Sequence, residues 1–201
     1  MAKIHARPVI LASKSPRRAE LLERIGIRFE VRPSHFDESQ IAETNPARHV
    51  IELSLAKANA VAQEVESGLV IGADTIVVLD DRILGKPGSG QEAFDMLSSL
   101  AGRTHQVHTG FAIIQMPEHR IVTGSEVTQV HFRELADWEI WGYIESNGPF
   151  DKAGGYGIQD QSAVFADRIE GCFYNVVGFP LTRFYEKLLT LLNNGYEHRE
   201  K

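Results

Sequence analysis

With 201 residues, 43% of them hydrophobic, the chain is long enough for one sizeable core and short enough to favour a single domain over two independent ones. Its 21 basic and 27 acidic residues give a formal net charge of -6, which argues against a general binder of nucleic acids or membrane surfaces, because both are polyanionic. Cys172 is the one cysteine, which excludes an intrachain disulfide and a metal site of several thiolates and favours a reducing cytoplasm.

The first third of the chain alternates strand and helix patterns. "PVILAS" is typical of a buried strand. The helix pattern after it has Ser15 as a suitable N-cap, Pro16 at the first helical position and Gly26 just past the last turn. "IRFEVRPS" predicts a short strand, and "NPARHVIELSLAKANAVAQEVESG" predicts a helix. The residues that we expect near one face of this helix are Val50, Leu53, Ala56, Ala60 and Val61.

The rest of the chain adds hairpins and further helices. "LVIGADTIVVL" predicts a strand that turns at Asp80 and Asp81 into a return strand, "RILGKP", and "GQEAFDMLSSLAGR" predicts a helix closed by Gly102. "HQVHTGFAIIQ" and "RIVTGSEVTQVHF" predict an antiparallel pair, followed by a helix in "ADWEIWGYIESNG" and a glycine-rich loop in "KAGGYGIQ". "RIEGCFYNVVGFP" resembles a hairpin before a last helix, "LTRFYEKLLTLLNNG", and a frayed tail at 195–201. The sequence therefore predicts an α/β fold with a mixed sheet.

Asp74 lies at the centre of the most apolar run in the chain. Burying an ionised carboxylate without a partner costs several kcal/mol, so we expect a cation to face it. The alternative is a carboxylate at a strand end or a bulge, marked by Gly72, that only caps backbone amides. The acidic Glu38 in "FDES" is weak evidence alone, but together with Asp74 it could hold a hard divalent cation such as Mg²⁺ or orient a water.

The segment "SKSPRR" offers positive charge at the start of a helix. Ser13, Ser15 and the first amides of the helix could bind phosphate oxygens, with Arg17 and Arg18 supplying charge. An ordinary capped helix is the alternative, although arginines in a first turn oppose the helix dipole. Lys57 and Lys86 are further candidate phosphate ligands, although each alone is more typical of a surface lysine.

The loop "AGGYGIQ" could let a ligand approach the backbone closely, with the amide of Gln159 reading the edge of a base. A plain flexible turn fits the composition equally well, and neither the Walker nor the dinucleotide spacing is present. His105 and His108 are three residues apart in a predicted strand, which sends them to opposite faces and argues against a shared metal.

These pieces also resemble, in order, the motifs of the Maf family of nucleoside triphosphate pyrophosphatases. The segments that carry the resemblance are "LASKSPRR", "FDES", "LAKANA", "GADTIVVLDDRILGKP", "KAGGYGIQ" and "IEGCFYNVVGFPL", from about Val9 to Leu191. The resemblance implies one Maf-like domain over 1–201 with its core at about 9–191. It also implies an elongated, two-lobed α/β fold related to the inosine triphosphatases (ITPase-like), with a twisted mixed sheet, flanking helices and a cleft between the lobes. A divalent metal, Mg²⁺ or Mn²⁺, and frequent homodimers are further implications.

The resemblance also implies roles for individual residues. Asp74 matches the catalytic carboxylate that accepts a proton, Glu38 matches the second acidic residue, and both are the candidate metal ligands. The positions that match phosphate-binding residues are Ser13, Arg18, Lys57 and Lys86, and those that match the branch acting on dTTP and UTP are Arg17, Thr75 and Gln159. Asp160 replaces a common glycine, which would add a negative charge beside the base pocket.

The function implied is hydrolysis of dTTP and UTP, or of modified pyrimidine nucleotides such as 5-methyl-UTP and pseudo-UTP, to the monophosphate and pyrophosphate. Such an enzyme would keep non-canonical nucleotides out of nucleic acids, as a cytoplasmic protein without a nucleic-acid or membrane partner. Two alternatives stay open. One is the same chemistry on another base, such as 7-methyl-GTP, and the other is a non-catalytic nucleotide-binding regulator of septum formation.

Overall fold

The structure, a computed structural model that describes residues 4, 6–146 and 148–193, contains a seven-stranded mixed sheet and flanking helices. The strands are β1 (Val9–Leu11), β2 (Glu30–Val31), β3 (Gly68–Leu79), β4 (Arg82–Leu84), β5 (Thr104–Met116), β6 (Arg120–Phe132) and β7 (Ala166–Glu170). The helices are α1 (Pro16–Arg24), α2 (Pro46–Ala62), α3 (Gly90–Leu100), α4 (Asp137–Glu145), α5 (Phe173–Val177) and α6 (Leu181–Asn193).

The strand order is β2-β1-β3-β5-β6-β7, and β4 pairs with β3. β1 runs parallel to β2 and to β3, whereas β4 is antiparallel to β3 and β7 is antiparallel to β6. β5 and β6 are neighbours with only residues 117–119 between them, so this pair is also antiparallel. The prediction of an α/β fold with a mixed sheet is confirmed.

Local sequence signals set several element ends as predicted. α1 begins at Pro16 after Ser15, which is extended, and Gly26 adopts φ +72° just past the last turn. The turn between β3 and β4 places Asp80 and Asp81 at φ 49° and 63°, a left-handed conformation that Asp tolerates in tight hairpins. In each case the residue type suits the backbone conformation that the element end requires.

The predicted hairpin in "RIEGCFYNVVGFP" is wrong in its second half, because α5 follows β7 there. The run has the β-branched and aromatic composition of a strand, but tertiary contacts decide its conformation. Asn175 is fully buried, and its Nδ2 donates to the carbonyl oxygen of Val107 at 2.8 Å and to Oγ1 of Thr128 at 2.9 Å. The amide of Cys172 also donates to Thr128 Oγ1, at 3.1 Å. These bonds hold the segment as a short helix.

The predicted inward face of α2 is correct at Val50, Leu53 and Val61 but wrong at Ala56 and Ala60, which are only half-buried. The buried face lies instead along Ser54 and Ala58, because the helix passes closely over β3 at Gly72. A Cβ on Gly72 would collide with the carbonyl oxygen of Ser54 and would lie 2.9 Å from the amide nitrogen of Ala58. Gly72 therefore marks a close approach of helix and strand, where a side chain would collide with the helix backbone.

The described residues form two compact units. The first unit lies within Met1–Asp74, Thr109–Glu126 and Gly178–Lys201, and the second within Thr75–His108 and Val127–Val177. Each has its own apolar cluster, around Ile10, Ala58, Val70 and Ile114 in the first and around Val77, Leu97, Phe132 and Tyr143 in the second. The predicted frayed tail at 195–201 lies outside the described residues. Within the described part of the chain, no helix is both long enough and apolar enough to cross a bilayer.

Candidate functional site

The buried carboxylate of Asp74 lies beside the ammonium group of Lys57. Asp74 is 7% exposed and ends the part of β3 that belongs to the first unit. Lys57 Nζ lies 2.7 Å from Asp74 Oδ1 and 2.8 Å from Oε1 of Glu38, and the Lys57 side chain is 13% exposed. The cation that we expected opposite Asp74 is therefore Lys57, a lysine of the same unit. Both predicted acidic residues, Asp74 and Glu38, form ion pairs with it. We call this set the Lys57 cluster: Glu38, Lys57 and Asp74.

The close approach of α2 to β3 explains the position of Lys57. Gly72 and Asp74 are two residues apart in the strand, so their side-chain directions share one face of the sheet. Ser54 and Ala58 occupy the space that a Cβ at position 72 would need, and Lys57 follows Ser54 by three residues on the helix. The absence of a Cβ at Gly72 thus lets α2 come near enough for Lys57 to reach Asp74.

The two acids of "FDES" have different environments. Asp37 caps the short 3₁₀ helix Glu38–Gln40, and its Oδ1 accepts from the amide of Ser39 at 3.1 Å and from the Ser39 hydroxyl at 2.7 Å. These hydrogen bonds lower the pKa of Asp37, the side-chain bond contributing most. Glu38 begins the 3₁₀ helix, and its exposed side chain contacts Lys57. Asp37 therefore orders the turn that carries Glu38.

Arg18 fixes the backbone next to Asp74. Its Nη1 donates to Oγ of Ser13 at 3.0 Å and to the carbonyl oxygen of Ala73 at 2.9 Å, and its Nε donates to the carbonyl oxygen of Gly178 at 3.0 Å. Burial lowers the pKa of Arg18, the charge of Asp74 opposes this shift, and the guanidinium remains charged at neutral pH. Arg18 and Ser13, both predicted to contact phosphate, thus already contact each other and the strand end.

The first turn of α1 carries the other basic candidate, Arg17, whose side chain is half-buried. Its charge contributes to lowering the pKa of Arg18, so the two guanidinium groups influence each other. Ser15 makes no side-chain hydrogen bond to this turn. The cationic first turn therefore has the charge that an anion would complement.

The remaining candidates belong to the second unit. Thr75 follows Asp74 directly in β3 and is half-buried, whereas Lys86 and Gln159 are exposed. The glycine-rich loop is tied to the segment of Lys86, because the amide of Gly154 donates to the carbonyl oxygen of Gly85 at 3.0 Å. The substrate-selecting roles of Thr75 and Gln159, and the phosphate contact of Lys86, stay predictions.

Two buried histidines lie in the same unit. His105 Nε2 is 2.7 Å from the hydroxyl oxygen of Tyr156, and His108 Nε2 is 2.9 Å from Oε1 of Gln106. Burial lowers the pKa of His105 to about 4, with a smaller contribution from the charge of His131, and burial also lowers the pKa of His108. His105 is therefore neutral at pH 7 and supports the loop residue Tyr156.

The two carboxylates of the Lys57 cluster have the hard oxygen donors that a divalent cation prefers. Within the described residues, no three His, Cys, Asp or Glu side chains come together as a ready metal site. Mg²⁺, however, is often held by one or two carboxylates together with substrate phosphates and water. Asp74 and Glu38 supply two such carboxylates, and the Lys57 ammonium contacts both of them. Binding by these two residues stays a prediction.

The fold and the site together define an α/β protein with a buried carboxylate beside a lysine. A family model described as "Maf-like protein" matches residues 8–191. A dTTP/UTP pyrophosphatase of Carboxydothermus hydrogenoformans is 47% identical over 180 residues, which are 90% of this chain and 96% of that protein. A dTTP/UTP pyrophosphatase of Bacillus cereus is 48% identical over 182 residues, which are 90% and 94% of the two chains. This chain belongs to the Maf family.

A solved structure of a HAM1 protein from Coxiella burnetii is also similar. It aligns over 92% of this chain and 98% of its own, with 15% sequence identity and a TM-score of 0.46. The family assignment rests on the sequence matches.

Proposed function

We propose that this protein is a nucleoside triphosphate pyrophosphatase that hydrolyses dTTP and UTP between the α and β phosphates, releasing the monophosphate and pyrophosphate. The observation that carries the proposal is the Lys57 cluster, in which two carboxylates converge on one ammonium at 2.7 and 2.8 Å. The names of relatives that are 45–48% identical over 90% of this chain support the choice of substrate.

In the proposed reaction, Asp74 is the general base. It accepts a proton from the water that attacks the α-phosphorus in line with the departing pyrophosphate. The neighbouring ammonium of Lys57, 2.7 Å from Oδ1, holds this carboxylate in position. The low exposure of Asp74 excludes most competing solvent from the carboxylate.

Lys57 has a second role in the proposal. Its ammonium can contribute positive charge to the triphosphate while it remains in contact with the carboxylates. Glu38 is the more exposed carboxylate partner, which suits it to exchange contacts when substrate binds. The further residues proposed to contact phosphate are Ser13, Arg18 and Lys86.

A divalent metal, Mg²⁺ or Mn²⁺, is part of the proposal, and Asp74 and Glu38 would hold it. Such an ion, when bound, neutralises phosphate charge and favours departure of pyrophosphate. The hard oxygen donors of these two side chains match that preference.

For substrate selection we assign Arg17, Thr75 and Gln159, which would favour pyrimidine nucleotides, including 5-methyl-UTP and pseudo-UTP. Hydrolysis of such modified nucleotides would keep them out of nucleic acids. A cytoplasmic location and a homodimer complete the proposal, and light scattering on the purified chain measures the oligomeric state.

The test is release of pyrophosphate from a panel of triphosphates with Mg²⁺ or Mn²⁺. The panel contains dTTP, UTP, 5-methyl-UTP, pseudo-UTP, 7-methyl-GTP and the other three common ribonucleoside triphosphates. We expect dTTP, UTP or their modified forms to give the highest kcat/KM. Preference for 7-methyl-GTP would support the same chemistry on another base, and UTP binding without hydrolysis of any nucleotide would support the non-catalytic regulator.

A further inference from the structure

Asp160 lies directly after Gln159 and turns its carboxylate into its own loop. Oδ1 accepts from the amide of Ser162 at 2.9 Å and from the Ser162 hydroxyl at 2.6 Å. Oδ2 lies 3.1 Å from Nζ of Lys152 and accepts from the hydroxyl of Tyr143 at 3.3 Å. Both carboxylate oxygens thus have partners within the second unit, and the charge that we expected beside a base is directed toward Lys152.

The ammonium group of Lys152 has three partners in this loop region. Its Nζ donates to the carbonyl oxygen of Gly148 and to Oδ1 of Asp151, both at 2.6 Å, in addition to its contact with Asp160. The three donors of an ammonium are therefore all used, and the side chain is only 13% exposed. Lys152 acts here as an internal tie between the two ends of the glycine-rich segment.

The turn that contains Gln159 is closed from both ends. The amide of Asp160 donates to the carbonyl oxygen of Gly157 at 3.2 Å, and the amide of Gly157 donates to Oγ of Ser162 at 2.9 Å. Ser162 is fully buried, and Asp160 holds its side chain. A Cβ on Gly157 would lie 2.6 Å from both Asp160 Oδ2 and Lys152 Cε, so the turn packs directly on the charged pair.

We propose that Asp160 is a positioning residue for substrate selection, which locks the turn of residues 157–160 through Ser162 and Lys152 and so holds Gln159 ready to read a pyrimidine base. This inference rests on the proposed function, because the reading of the base by Gln159 belongs to it. Asp160 itself contacts no substrate. Loss of the Asp160 side chain keeps the amide of Gln159 but lets the turn sample more conformations. The entropy cost of ordering the turn then weakens recognition of the base.

The test compares three variants. Asp160→Ala removes both the hydrogen bonds to Ser162 and the ion pair with Lys152. Asp160→Asn keeps an acceptor for Ser162 and loses the ion pair with Lys152. Asp151→Asn is the matched control, because it removes a carboxylate that contacts Lys152 from outside the turn. We expect Asp160→Ala to raise KM for UTP and dTTP about tenfold with kcat changed less than about threefold, Asp160→Asn to raise it about threefold, and the control to leave it unchanged.

A double-mutant cycle with Gln159→Ala separates positioning from general damage. If Asp160 acts through Gln159, then Asp160→Ala changes KM by less than about twofold in the Gln159→Ala background. A tenfold rise in both backgrounds, or no rise in either, would overturn the inference. Circular dichroism and thermal unfolding confirm that each variant folds.

Amide hydrogen exchange gives a second measurement that does not depend on hydrolysis. The amides of Gly157 and Ser162 should exchange about tenfold faster in Asp160→Ala than in the parent, and less so in Asp160→Asn. Unchanged exchange in Asp160→Ala contradicts the lock. A parent chain that releases no pyrophosphate from UTP or dTTP refutes the proposed function and with it the role in base selection, while the exchange rates still decide whether Asp160 orders the turn.

Discussion

Replacing Lys57 by Met removes the ammonium of the Lys57 cluster and keeps a side chain of similar length. In the parent the side chain of Asp74 is 10% exposed and that of Glu38 is 58% exposed. Glu38 can therefore recover hydration, and its lost ion pair costs at most about 1 kcal/mol. Asp74 cannot, because it is buried. The charge of Arg18 remains and compensates only part of the loss, so removal of the Lys57 partner costs about 3 kcal/mol. We expect the free energy of unfolding to fall by about 3 to 4 kcal/mol at pH 7.

Urea unfolding followed by circular dichroism measures this loss, and a double-mutant cycle identifies its source. Asp74→Asn leaves Lys57 paired with the exposed Glu38, so this change should cost about 1 kcal/mol, and in the Lys57→Met background it should recover about 1 to 2 kcal/mol. Lys86→Met is the matched control, because Lys86 is exposed, and it should shift stability by less than about 0.5 kcal/mol. A loss below about 1 kcal/mol for Lys57→Met, or additive costs in the cycle, would refute the reasoning.

Two further predictions concern packing and pH. Gly72→Ala should lower the free energy of unfolding by about 2 kcal/mol or more, because its Cβ collides with the Ser54 carbonyl, whereas Gly142→Ala, whose Cβ meets nothing within 4 Å, should be neutral or stabilising in thermal unfolding. The pKa of His105 is lowered to about 4, so the unfolded chain binds this proton near pH 6.5 while the folded chain does not, and stability is lost as pH falls. Between pH 7 and pH 5, His105 should account for a loss of about 2 kcal/mol in the free energy of unfolding. Urea unfolding at both pH values should therefore show a smaller loss in His105→Gln than in the parent. An equal loss in the two proteins would contradict the lowered pKa of His105.

Element ends were predictable because their signals are local. Pro16 and Gly26 mark the limits of α1 through their own backbone preferences, and no distant residue is needed. Ser15 occupies the predicted N-cap position without a side-chain hydrogen bond. The short helix α5 was not predictable, since the partners that hold Asn175 lie 68 and 47 residues away in the chain. A strand-like composition gives no sign of such contacts.

The site was predictable in its chemistry but less so in its pairing. An apolar strand around Asp74 required a cation, and the sequence supplied several. Only the close approach of α2 at Gly72 selects Lys57 among them. Lys152 was missed altogether, because nothing in "KAGGYGIQ" marks this lysine as the partner of Asp160. Pairs of opposite charge within the loop would have been the signal to examine.

The most direct test of the central claim is the turnover of Asp74→Asn with UTP and Mg²⁺, measured as pyrophosphate release. Asn keeps the shape of the side chain and removes the base, so we expect kcat to fall by about 10²-fold or more while the protein stays folded. Asp81→Asn, a change of the same kind in the exposed turn after β3, should leave kcat unchanged. Near-parental turnover in Asp74→Asn would contradict the assignment of Asp74 as the catalytic base.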